Sequence, residues 1–189
     1  MAIAYHVIFG AYGFWLPNDP RGSWSDYVYS ERLRPFGPAT KVSTTQSLAC
    51  QPHDVKRRFA AKQALKFPPV RFTGIQALAV SLGFGQVVGD TQLPIYACAI
   101  MPDHVHLVLG VHKRSPQSLV GQLKSCAVKR LTAGGLHPLR GEHTPWSRSF
   151  WNVFLDTVDE VRHAVDYVEM NPIKEGLKPQ KWSFVVPFE

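Results

Sequence analysis

Two histidines one residue apart, His104-Val105-His106, stand in the stretch ACAIMPDHVHLVLG at 97–110. Tyr96 to Ile100 and Val105 to Val111 are apolar runs of strand length. Met101-Pro102-Asp103 supplies a bend between them, because Pro fixes φ and Asp accepts local backbone hydrogen bonds. The stretch predicts a β-hairpin with both imidazoles on one face and Val105, Leu107 and Leu109 on the other. Two neutral imidazoles on one face suit a divalent metal. They suit equally well two half-buried histidines with no ligand, so the pair needs a third donor and a reactive group to become a site.

Both are available in 157–172, TVDEVRHAVDYVEMNP. Thr157 with Glu160 three residues later is a capping box that opens a helix. Val161, Ala164, Val165 and Val168 give it an apolar face, and Pro172 is expected to end it, because the residue before Pro avoids the α region. Tyr167 and Asn171 are one helical turn apart. Taken alone they read as a helix-edge tyrosine and an Asn helix stop.

Together, MPDHVHL and, some sixty residues on, DYVEMNPIKEGL resemble the single-tyrosine HUH transposases, and among these the REP-associated tyrosine transposases. In that family a His-hydrophobic-His motif and an Asn or Gln four residues after the tyrosine hold a divalent metal, and the tyrosine attacks a DNA phosphate. The resemblance implies His104, His106 and Asn171 as metal ligands and Tyr167 as the nucleophile. It implies a 5′-phosphotyrosine link, a free 3′ hydroxyl, and single-stranded DNA carrying a hairpin as the partner. It spans about Ile95 to Leu177, and Tyr5-His6-Val7-Ile8-Phe9 resembles the family's first strand. A phenol is a poor nucleophile at neutral pH unless it loses its proton or its target is made more electrophilic. A metal would polarise that target. Mg²⁺ or Mn²⁺ fits such a donor set, Mn²⁺ being the better match to imidazole. Two other readings stay open: a non-catalytic DNA-hairpin-binding protein descended from such an enzyme, and a metal-dependent phosphodiesterase in which water attacks.

The chain that must position these groups has 189 residues, 45% of them hydrophobic, and a net charge of +7. That length is compatible with one domain over 1–189, and the basic surface suits nucleic acid. No apolar run approaches the ~18 residues of a membrane span, and no signal peptide is evident. Cys50, Cys98 and Cys126 show no paired spacing, which points to reduced thiols and a cytoplasmic location. No coiled-coil or other dimer signal is present, and relatives of this type include monomers and homodimers.

The remaining elements follow in order. Ala2 to Ala11 is a first strand with Tyr5, Val7 and Phe9 on one face and His6 on the other. Residues 13–52 read as an elaborated loop rich in turn residues and aromatics. Its Phe14, Trp15, Trp24, Tyr27 and Tyr29, with Arg21, Arg32 and Arg34 nearby, are candidate contacts to unpaired bases and phosphates, Trp24 and Arg21 foremost, although long ordered loops also use aromatics to pin themselves down. His53 to Lys66 predicts a helix with Val55, Phe59, Ala60, Ala61 and Ala64 inward and Lys56, Arg57 and Lys62 on a basic outer side, a candidate DNA contact. Thr73 with Gln76 opens a further helix, expected to stop at Gly83 or Gly85. Ser115-Pro116 opens another, with Leu119, Leu123, Ala127 and Leu131 inward and Lys124 off that stripe as a further DNA candidate. Phe150 to Leu155 is a strand, and Trp182 to Val186 either packs back or adds an edge strand. The order predicts an α+β, ferredoxin-like (split βαβ) fold: an antiparallel sheet with helices mainly on one face.

Overall fold

The computed structural model describes residues 1–22, 25–41 and 52–189. Trp24 and Cys50 lie outside the described residues. Four strands, β1 (Ala4–Gly10), β2 (Ile95–Ile100), β3 (His104–Gly110) and β4 (Trp151–Leu155), form an antiparallel sheet in the order β2-β3-β1-β4. This is the expected split βαβ arrangement. The hairpin turns at Pro102-Asp103, closed by the Met101 N–H donating to the His104 carbonyl at 2.8 Å.

The helices are α1 (Val55–Gln63), α2 (Gly74–Thr91), α3 (Pro116–Ala133) and α4 (Val158–Lys174). Helices α2 and α3 pack together on one sheet face. There they bury Phe84, Val87, Leu119, Leu123, Ala127 and Leu131 against Val7, Phe9, Val105, Leu107 and Leu109. Helix α4 covers the opposite face. Its Val161, Ala164 and Val168 close over Ala4, Ala97, Ala99, Val108 and Leu155. Two of the three helices on the sheet therefore share a side, and α4 has the other to itself.

Three expectations about helices need correction. Helix α2 runs through both glycines to Thr91. Gly83 is a packing position rather than a stop: a Cβ there would lie 2.6 Å from the backbone nitrogen of Ala127, so its hydrogen side chain is what lets α3 approach. Helix α4 continues past Pro172 to Lys174. The ring is buried, and the helix closes beyond it with the Glu175 N–H donating to the Asn171 carbonyl at 3.2 Å. The missing Pro N–H costs one bond without ending the helix. Helix α1 does not turn Val55 and Phe59 inward, since they are 60% and 62% exposed. Its inner side is a narrow stripe of small residues. Ala61 is buried against Leu16 and Leu33, with Ala64 and Leu65 alongside.

The long segment after β1 thus has a small core of its own. It leaves and re-enters the fold at one point, where the Val70 N–H donates to the Tyr12 carbonyl at 2.9 Å. The C-terminal tail packs back without forming a strand. Gln180 bonds both backbone groups of Ile100, the Val186 N–H donates to Ile95 and Phe184 enters the core. The exposed edge of β2 is thereby blocked against pairing with another chain. Among the described residues, no helix is long and apolar enough to cross a membrane.

Candidate active site

Register decides which side chains meet. His106 lies opposite Ile8 on β1 and Ala99 on β2, and His104 lies opposite Gly10. Directly paired residues share a face, so His6, His104 and His106 all point to the α4 side. The rings of His104 and His106 are 4.8 Å apart, and those of His6 and His106 5.4 Å apart and stacked. Helix α4 brings Tyr167 over this group, with ring centres 5.7 Å from His106 and 5.8 Å from His6. Tyr167 is 41% exposed, so the residue is accessible to a partner. The Lys174 ammonium lies 5.0 Å from its ring centre.

Each hairpin histidine has one nitrogen engaged. His104 Nδ1 is 2.8 Å from Asp103 Oδ1, and His106 Nδ1 is 3.2 Å from His6 Nε2. Neither Nε2 makes a hydrogen bond among the described residues. For Nε2 to offer a lone pair to a metal, Nδ1 must carry the proton. His104 then donates to the Asp103 carboxylate, and His106 donates to His6. Metal-binding histidines are commonly held by such outer partners. Burial lowers His6 to about 4 and lowers His106 well below the ordinary value; electrostatic repulsion between a protonated His106 and the neighbouring His104 and His6 lowers His106 further. For Asp103, burial raises the carboxyl, but the His104 hydrogen bond and the charges of His104, Arg21 and Arg71 outweigh it. The net shift is downward.

Asn171 follows Tyr167 by one turn of α4. Its Nδ2 is buried with no hydrogen-bond partner among the described residues. The two ends of a carboxamide exchange by a flip, so this orphaned position fits an amide whose oxygen meets a ligand. The structure brings His104, His106 and Tyr167 together by ring contact, but Asn171 makes no hydrogen bond to either histidine. Among the described residues, no three His, Cys, Asp or Glu side chains form a metal site by themselves. The donor set is two imidazoles and an amide, and its chemistry fits a divalent ion with coordination positions left for a phosphate.

Of Arg21, Lys56, Arg57, Lys62 and Lys124, the foremost expected DNA contacts among the described residues, three are otherwise engaged. Arg21 is tied to buried Asp19 at 2.7 Å and to the Phe14 carbonyl, with its guanidinium 3.9 Å from the Phe14 ring centre. Arg57 donates to the Pro35 carbonyl. Lys124 lies beneath the sheet on the α2–α3 side, donating to the carbonyls of Ser147 and Ser149, and burial lowers its pKa to about 8. Lys56 and Lys62 make no ion pair among the described residues.

The sequence assigns no role to His6, gives Asp103 only the hairpin bend, and gives Phe14 only a candidate contact to unpaired bases. Phe14 stacks on His104 at 4.7 Å. It reaches there by folding back over Gly10, where any Cβ would lie 2.6 Å from the Phe14 Cβ. The parity of His6 with the strand pattern was the available signal, but its use depends on β1 pairing with β3.

A family model described as "Transposase IS200 like" matches residues 73–171, more than half of the chain. No curated protein matches the chain. Among solved structures, a REP-associated tyrosine transposase bound to a REP hairpin superposes with TM-score 0.50 and 14% identity, covering 94% of this chain and 72% of that one. A candidate transposase from Deinococcus radiodurans R1 is also found, with TM-score 0.42, 15% identity and coverage of 89% and 90%.

Proposed function

This chain belongs to the IS200-like transposase family, and on that premise we propose that it cuts and rejoins single-stranded DNA through a covalent bond to Tyr167. The observation that carries the reading is the placement of the Tyr167 ring against His106 and His6, on the sheet face that also bears His104. The Tyr167 oxygen forms a bond to phosphorus, the bond to the 3′ oxygen breaks, and the 3′ hydroxyl leaves with a proton. The phenol proton passes to solvent. The phosphotyrosine keeps the bond energy, so a 3′ hydroxyl can reverse the step without ATP. His104, His106 and Asn171 would hold a divalent ion, Mg²⁺ or Mn²⁺, which when bound polarises the phosphate. Asp103 and His6 orient the two imidazoles, and Lys174 places a positive charge beside the attacking ring. The substrate is a strand bearing a hairpin, as in the REP-hairpin-bound structure of similar fold, and the acting unit is the whole of 1–189.

The test is incubation with Mn²⁺ and hairpin-bearing single strands taken from DNA around the chain's own gene. A protein–DNA adduct that survives denaturing electrophoresis is expected. Tyr167→Phe should fold and bind but give no adduct. Binding without any adduct would favour a hairpin-binding protein. Cleavage that persists in Tyr167→Phe would favour attack by water.

A further inference from the structure

We infer that the long segment after β1 builds a second site, a cleft that holds an unpaired nucleobase of the same strand. This rests on the strand-cleaving reading above. The cleft lies between that segment and Ser147–Ser149, just before β4, opens to solvent, and has a volume of about 160 Å³. Trp15, Val28, Tyr27 and Tyr29 supply its apolar surface, and Arg148 stands at the rim.

Four observations favour a base over other ligands. Tyr27 and Tyr29 are 71% and 70% exposed, although their segment has a core of its own. Two rings left out of that core while lining a cleft offer flat surface, which every nucleobase can stack on. The Arg148 guanidinium is 5.7 Å from the Tyr29 ring centre and has no carboxylate partner among the described residues, so a phosphate can take it. The wall is built to hold its shape. The Asp19–Arg21 pair, the Thr40 hydroxyl donating to the Asp19 carbonyl and the packing of Leu16 on Leu33 fix it. Finally, the cleft adjoins the chemistry. Trp15 touches Phe14 at 5.2 Å, and Phe14 stacks on His104. A strand whose phosphate sits at Tyr167 therefore has a nearby nucleotide within reach of the cleft, whereas a paired base has no free face to insert.

The probe is a short mixed-sequence DNA single strand carrying one 2-aminopurine, whose fluorescence falls when it stacks on an aromatic ring. The wild-type chain is expected to quench it, and the same strand annealed to its complement is not. Tyr29→Ala and Tyr27→Ala, both at exposed positions, should each weaken binding about tenfold, and Tyr29→Phe should restore it. Arg148→Gln should flatten the salt dependence by about 0.7 in log–log slope. Wild-type binding that neither tyrosine variant alters would overturn the cleft and leave the cleavage reading standing. A wild-type chain that binds no single strand at low salt would overturn the cleavage reading, and the cleft with it.

Discussion

Gly83→Ala adds one methyl group where α2 crosses α3. The new carbon would lie 2.6 Å from Ala127 N, 2.7 Å from Ala127 Cα and 2.8 Å from the Cys126 carbonyl carbon. All three are backbone atoms, so no rotamer change relieves the clash and the helices must separate by roughly half an ångström or more. Separation loosens the layer in which Phe84, Val87 and Leu123 are buried. Overpacking of this kind costs about 3 kcal/mol, and Ala returns about 1 kcal/mol of helix propensity. The expected net loss is about 2 kcal/mol, or roughly 5 °C in Tm for a chain of this size. Gly121→Ala, in the exposed side of α3 with nothing within 4 Å, isolates the propensity gain and should stabilise by about 1 kcal/mol. Urea denaturation of the two variants reads the difference as midpoint shifts of opposite sign at constant m. The reasoning fails if Gly83→Ala unfolds at or above the wild-type midpoint.

Three further outcomes are expected. His6→Ala removes the acceptor for His106 Nδ1–H and should weaken Mn²⁺ binding about 10- to 100-fold by calorimetry. His6→Gln should recover part of the loss, and unchanged affinity in His6→Ala would remove His6 from the site. In the metal-free chain His6 titrates at about 4, against an ordinary value of 6.5. As pH falls, the unfolded chain takes up its proton first. Stability that is full above 6.5 should therefore drop by about 3 kcal/mol between 6.5 and 4, and a His6→Phe chain with an equally steep profile would contradict this. Tyr167→Phe should leave Mn²⁺ affinity within about twofold of wild type while abolishing the adduct, because the phenol is not one of the donors; a larger loss would place its oxygen on the ion.

What could be read from the chain was what local spacing controls. The two-residue period of β3 put His104 and His106 on one face, the four-residue period of α3 named its buried stripe, and the Thr157–Glu160 box marked the start of α4. Signals whose meaning depends on a distant partner misled. Gly83 carries no local mark that separates a helix stop from a crossing point; Ala127 decides which it is. On α1 the expected inward set splits: Ala61 is buried against Leu16 and Leu33, while Val55 and Phe59 stay exposed, because the loop core that decides between them comes from residues distant in the chain. Lys124 looks like any surface lysine until Ser147 and Ser149 come beneath it. His6 reaches His106 only because β1 lies beside β3, a pairing across 100 residues that no periodicity encodes.

The hydrogen bond from Val70 to Tyr12 makes residues 13–69 an appendage whose two ends already touch. Lengthening or shortening such an excursion leaves the spacing of its anchors unchanged, and each doubling of its length adds only about 0.6 kcal/mol of closure entropy. The sheet and its histidines are thereby insulated from the excursion's length, and among the contacts of the excursion with the rest of the fold, Phe14 on His104 is one through which a change of loop would reach the histidines. Chains with this sheet can therefore vary in the segment following their first strand while keeping the same chemistry, provided position 10 stays small enough for that ring to fold back.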